Sequence, residues 1–215
     1  MCATGDVERL AHIPVDGVTL EGSLAIPGNT RGLVLFAHGS GSSRLSPRNN
    51  FVARTLQRSG FGTLLIDLLT RKEDENAETR FDIPLLTHRV VSVTEWLTRQ
   101  KETASQPVGL FGASTGAAAA LQAAALLPAT VKAVVSRGGR PDLAGNALTQ
   151  VRCPTLLIVG GNDDAVIELN ERAETLLTCE KRLAIIPGAT HLFEEQGALE
   201  QVATLASAWF ERHLR

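Results

Sequence analysis

Residues 108–127 read "VGLFGASTGAAAALQAAALL". An apolar run ends in Gly112-Ala113-Ser114-Thr115-Gly116 and passes at once into an alanine-rich segment. Apolar residues without alternation, then a small-residue turn, then strong helix formers predict strand, sharp turn and helix. Such a turn serves one of three ends. It cradles a phosphate, it aims a nucleophile, or it is a well-packed corner. The pentapeptide matches G-x-S-x-G. A nucleophile on a strand-to-helix turn has strained backbone geometry, so the residues two before and two after it must be small. The turn lifts the hydroxyl above the sheet and leaves the next N–H free at a helix N-terminus. No Lys follows the glycines and the spacing is not G-x-G-x-x-G, so both phosphate-loop motifs are absent.

Working outward, two alternating segments open the chain, "VERLAHIPV" and "VTLEGSLAIP", joined by Asp16-Gly17. That dipeptide between strand-like runs predicts a hairpin. Six short apolar runs follow: "GLVLFAHG", "FGTLLIDLL", "PVGLFGAS", "VKAVVSRGG", "PTLLIVGG" and "KRLAIIPG". Most lack alternation, as strands do when a parallel sheet buries both their faces. Helical segments lie between them. "SPRNNFVARTLQRSG" has Ser46 as cap, Pro47 in the first turn and Gly60 as stop. "IPLLTHRVVSVTEWLTRQ" puts Leu86, Val90, Val93 and Leu97 on one face, and "EEQGALEQVATLASAWFERHL" forms the last helix. The alternation predicts an α/β sheet with helices on both sides. No repeat or linker divides the chain, so residues 1–215 are expected to form one domain. The charged stretch "LTRKEDENAETRFDIP" reads as a solvent-facing loop. Only "RPDLAGNALTQVRC" separates two strands where a cap domain would need far more chain.

Bulk properties narrow the function. The 215 residues are 44% hydrophobic and 20% charged, with formal net charge −2. This is a globular composition with room for a full core. No basic excess points to nucleic acid. No apolar run approaches a membrane span, and "MCATGDVERLAHIPVDG" has no signal-peptide core. Cys2, Cys153 and Cys179 form neither CxxC nor a metal spacing, so a reducing, cytoplasmic setting is expected.

A serine at its free pKa needs a base and an orienting acid. "PTLLIVGG" ends in Asn162-Asp163-Asp164, and "KRLAIIPG" ends just before His191. Both candidates fall past buried strands, on the edge where open α/β sheets place their sites. The order Ser114, Asp163, His191 is the one expected of a G-x-S-x-G turn in this architecture. His191 takes the proton from Ser114, and Asp163 holds the imidazole tautomer and stabilises its charged form. Asp164 competes with Asp163, which is preferred because Asp164 is placed to cap the following helix. Two oxyanion donors are also required. Thr115 N–H is one. "HGSGSS" after the first central strand offers Ser40 N–H as the other, with Gly41 second. His38 is expected to shape that turn.

Together, "GLVLFAHGSGSS", "LFGASTGAA", "LLIVGGNDDAVI" and "PGATHLFEEQGALEQVA" resemble the α/β-hydrolase superfamily, in its dienelactone-hydrolase-like branch. The resemblance covers nearly the whole chain. It implies an eight-stranded, mostly parallel sheet with an antiparallel N-terminal hairpin, no large cap, an acyl-enzyme mechanism and no cofactor. Dienelactone hydrolases proper use cysteine as nucleophile, whereas this chain has Ser114, so their lactone substrate does not carry over. Relatives sometimes stand beside or fused to a phosphoribosyltransferase domain, and none is expected in these residues.

The expected activity is cleavage of small carboxylic esters. Thioesters and lactones share the mechanism. Nucleotide binding at the turn and a silent hydrolase-fold binding protein are the readings from other classes. Arg44, Arg48, Arg137 and Arg140 follow strands on the active edge. They either bind an anionic substrate group, with Arg44, Arg137 and Gly41 the substrate-binding candidates, or are solvated loop residues.

Overall fold

A computed structural model describes residues 6–214; Cys2 lies outside the described residues. Strands β1 (Val7–Val15) and β2 (Val18–Ile26) pair antiparallel about Asp16-Gly17. Both turn residues have positive φ, 45° and 81°, as a two-residue hairpin turn of matching twist demands. The remaining strands are β3 (Leu33–Ala37), β4 (Gly62–Ile66), β5 (Val108–Ala113), β6 (Val131–Arg137), β7 (Thr155–Gly160) and β8 (Lys181–Ile186). They are parallel to one another, and β2 joins them antiparallel to β4. The sheet order is β1-β2-β4-β3-β5-β6-β7-β8, eight strands as the resemblance implied.

Strands β3 to β7 are buried along almost their whole length because both faces are covered. Val34 and Phe36 of β3 point into one core layer and Leu35 into the other. Helices α1 (Pro47–Arg58) and α6 (Ala198–His213) close the first layer. Helices α3 (Ile83–Arg99) and α4 (Thr115–Leu126) close the second, with Ala173 of α5 (Asp164–Leu176) packed into it. Helix α4 is buried nearly all round, which its alanines permit by letting backbone lie close to backbone.

Two local expectations change, and a third, the short connection after β6, holds. The last helix begins at Ala198, not at Glu194, because Gly197 takes φ 78° and breaks the preceding turn. The charged stretch after β4 holds a short helix, α2 (Arg71–Asp74), closed by a Thr70–Glu73 capping box. Glu73 in turn pairs with the buried Arg89 at 2.9 Å, so this stretch is tied to α3 and not wholly solvated. Residues 141–150 form 3-10 turns kinked at Gly145 and pack on α4 and α5, leaving the strand ends uncovered. No helix among the described residues is long and apolar enough to cross a membrane.

The chain runs from β3 to β4 on one side, then returns to place β5 on the other side of β3. That reversal is a topological switch point, where a crevice opens at the carboxyl ends of the strands. The loops after β3, β5, β6, β7 and β8 therefore stand side by side.

Candidate active site

Ser114 follows β5 with φ 50° and ψ −123°, a strained conformation for a residue with a side chain. The surrounding chain holds it there. Ser114 N–H donates to Arg137 O, and Ser114 O accepts from the N–H groups of Ala117 and Arg140. The flanking glycines are required by contact. A Cβ on Gly116 would stand 2.2 Å from Ala37 O, and one on Gly112 would stand 2.4 Å from Ala117 Cα.

The acid and base arrive from the two next loops. Asp163 Oδ2 lies 2.7 Å from His191 Nδ1. A bond there puts the proton on Nδ1 and leaves Nε2 to act as a base. The two loops are laced together, since Asn162 N–H donates to Ala189 O and Asn162 Nδ2 donates to Gly188 O. His191 and Ser114 line one cavity of about 190 Å³, open to solvent. Asp163 occupies the N-cap position of α5 but makes no capping bond, and Asp164 is the first helical residue. Asp163, not Asp164, is the carboxylate bonded to His191, and the capping argument used to choose between them is off by one residue. Asp164 lies in the first turn, where its charge suits the helix dipole, and it is not the cap.

The oxyanion loop is more constrained than its sequence shows. His38 is buried, and its Nε2 accepts from Leu68 N–H at 3.1 Å. Its Nδ1 then carries the proton and donates to Gly39 O at 2.9 Å. Burial pushes the His38 pKa below the ordinary histidine value, so the ring is neutral. It shapes the turn, as its position suggested. Ser40 and Ser114 border the same cavity. Ser40 N–H, however, donates to Thr115 Oγ1 at 3.0 Å. That donor reaches a developing oxyanion only when the Thr115 hydroxyl yields it. Thr115 N–H, at the first position of α4, lies among the N–H groups a helix leaves without a helical acceptor.

The arginine candidates divide. Arg44 does not reach the Ser114 cavity. Its guanidinium pairs with Asp67 at 2.5 Å and Glu21 at 2.8 Å, so its charge is already met. Gly41, in a left-handed turn at φ 68°, lines a separate small cleft beside Leu69 and Leu86. Arg140 makes two bonds to Asp142. Arg137 and Arg48 do line the cavity. Sequence reasoning missed Asn49, which holds Arg137 at 3.1 Å, and Phe193, whose ring lies 5.8 Å from its Cζ. Asn49 is three residues past the Ser46 cap, and its inward phase on α1 was the available signal. A larger groove, about 600 Å³, lies between Arg54, Arg58 and the Ala25–Pro27 end of β2. Ala25 pairs with Thr63 near the start of β4, so this groove is on the opposite edge of the sheet from Ser114.

Comparisons with known proteins agree with this layout. A model of the dienelactone hydrolase family matches residues 20–214. A dienelactone hydrolase of Anabaena variabilis with a solved structure is 57% identical, with a TM-score of 0.96 over 98% of this chain and 99% of that one. Est1E of Butyrivibrio proteoclasticus shares the fold at 17% identity, with a TM-score of 0.81 over 94% of this chain and 98% of that one. A Mycobacterium tuberculosis H37Rv protein named "Putative phosphoribosyl transferase" is 59% identical over 197 residues, 92% of this chain and 44% of that protein. The chain thus spans less than half the length of that relative. With its fold, its strand-end loops and these matches in agreement, the chain belongs to the dienelactone hydrolase family of the α/β-hydrolase superfamily.

Proposed function

We propose that the protein is a serine hydrolase that cleaves small carboxylic esters through an acyl-enzyme. The observation that carries this reading is the Asp163–His191 bond beside the cavity His191 shares with Ser114. Ser114 Oγ attacks the ester carbonyl while His191 Nε2 accepts its proton. Asp163 stabilises the imidazolium. Thr115 N–H, and Ser40 N–H once released from Thr115 Oγ1, hold the tetrahedral oxyanion. His191 then protonates the departing alkoxide. Water, activated by the same imidazole, hydrolyses the acyl-serine and restores Ser114. The uncovered strand ends favour short acyl chains.

A lactone substrate is the second reading, favoured by the name of the Anabaena relative. Ring opening uses the same steps with the alcohol retained in the product. The transferase name belongs to a protein more than twice as long as the matched stretch, and it does not move the reading away from Ser114. The reading takes residues 1–215 as one catalytic domain that uses neither metal nor cofactor. It binds a small ester, not nucleic acid or membrane. The free thiols of Cys153 and Cys179 fit a cytoplasmic setting.

The test is a p-nitrophenyl ester chain-length series, with fluorophosphonate labelling, on wild type and Ser114→Ala. Wild type is expected to turn over short esters and to take the label. Ser114→Ala is expected to do neither. Wild-type turnover by Ser114→Ala would overturn the reading.

A further inference from the structure

Asn170 is 0% exposed in the middle of α5, the helix that opens at Asp163. Its amide nitrogen serves two backbone carbonyls. Nδ2 donates to Val166 O at 2.8 Å and to Gly139 O at 3.0 Å. Its Oδ1 has no partner among the described residues, and an acceptor left bare at such depth is costly. The bond to Val166 stays within α5. The bond to Gly139 reaches the loop after β6, 31 residues away in sequence.

Where that second bond leads sets Asn170 apart. Gly139 C=O and Arg140 N–H are the two ends of one planar peptide group, so fixing one end fixes the other. Arg140 N–H donates to Ser114 O at 3.1 Å. Ser114 C=O and Thr115 N–H are again the two ends of one peptide group. Thr115 N–H is the oxyanion donor of the proposed mechanism. Two peptide planes in series therefore connect the Asn170 amide to that donor. Each bond accepted at a C=O also polarises the N–H of the same peptide and makes it a stronger donor. The loop itself is closely seated. Gly138 takes φ 51° and its N–H donates to Ile158 O at 2.8 Å. Gly139 lies against the first turn of α4, where a Cβ on it would stand 2.7 Å from Ala117 Cβ.

We propose that Asn170 is a positioning residue for the oxyanion hole. It aims and polarises Thr115 N–H through the Gly139–Arg140 and Ser114–Thr115 peptides, and it touches no reacting atom. The role demands a donor at 170, because two carbonyls face the side chain. Ala117 N–H shares Ser114 O with Arg140 N–H, so losing Asn170 weakens the hold without abolishing it. The proposal rests on Ser114 as nucleophile.

The test uses p-nitrophenyl butyrate for turnover and 1,1,1-trifluoropentan-2-one as inhibitor, whose adduct on a serine carries the same oxyanion. Asn170→Leu keeps nearly the same size and removes the donor. Asn170→Thr is the second variant, since a threonine hydroxyl still bonds the carbonyl four residues back, here Val166 O, and gives up Gly139 O. In both, kcat is expected to fall by about tenfold, less than the roughly 10²-fold of a deleted oxyanion donor. The inhibition constant of the trifluoroketone is expected to rise by about the same factor, and KM to stay within about twofold. Ala173→Gly, at a buried site on the same helix, is the structural control. It is expected to lower the thermal midpoint and to leave kcat, KM and the inhibition constant within about twofold.

A folded Asn170→Leu or Asn170→Thr with wild-type kcat overturns the proposal. So does a fall in kcat without weaker trifluoroketone binding, or an equal fall in Ala173→Gly. Should Asn170→Leu not fold, Asn170→Thr decides. Ser114→Ala, assayed alongside, separates the two claims. If it is inactive while the Asn170 variants match wild type, the positioning role alone fails. If it retains turnover, the nucleophile fails and the positioning role with it.

Discussion

Helices α2 and α3 begin differently from α4 and α5. Thr70 and Asp82 use their side chains to accept a backbone N–H of the helix they open. Ser114 and Asp163 hold the same position on α4 and α5, with residue types equally able to cap, and neither caps. Asp163 spends its carboxylate on His191, and Ser114 stands in a strained backbone facing the cavity. A cap bond is worth about 1 kcal/mol. Under the proposed function, two good capping residues withheld from capping, on loops of one sheet edge, are where stability is exchanged for chemistry.

The sharpest way to break this contrast is Ser114→Ala. Ester turnover is expected to fall by about 10⁴-fold or more, because nucleophile and base act as a unit. Its thermal midpoint is expected to stay within about 3 °C, since no cap bond is lost. A large drop in that midpoint would make Ser114 a structural cap after all. Asp163→Asn is next, at about 10⁴-fold in kcat through the wrong imidazole tautomer. Asp164→Asn, measured beside it, is expected to stay within about threefold. The reverse ranking would move the acid by one residue.

His38 lies between the two classes, as a side chain that satisfies the backbone of another loop. His38→Leu leaves the Leu68 N–H without its acceptor, an expected loss of about 1–3 kcal/mol in denaturant unfolding. The sign of its pH effect follows from burial. The folded ring stays neutral where the unfolded ring takes a proton, so stability falls as pH drops below about 6.5 and is flat above. Unfolding at pH 5 and pH 8 should show a smaller acid-side loss in His38→Leu than in wild type. The smallest effect belongs to a true cap. Asp82→Ala is expected to cost about 1 kcal/mol with kcat unchanged. Lost activity there would dissolve the distinction.

Much of this was legible early because the forces are local. The apolar runs, the Asp16-Gly17 hairpin and the Ser46-Pro47 helix start all appear where their residues placed them. Gly197 was legible too, and ignoring its helix-breaking backbone misplaced the start of α6. Asp163 and Asp164 were harder. Adjacent residues at a helix start differ by one step of phase, and only His191, 28 residues away in sequence, pulls the choice to Asp163.

The amino-acid sequence alone determined the alternation of strands and helices, the G-x-S-x-G turn and the order Ser114, Asp163, His191. These follow from side-chain periodicity, backbone freedom and residues fixed to strand ends, which are properties of neighbours along the chain. Tertiary structure decided which charges are met. Arg44 follows a buried strand at the active edge and Arg137 ends one. Folding brings Asp67 and Glu21 to the first, and only a neutral amide and an aromatic ring to the second. It also turned Ser40 N–H onto the Thr115 hydroxyl, 75 residues away. Ion pairs and hydrogen bonds fall off within a few ångströms, so their partners are set by which distant segments packing brings together.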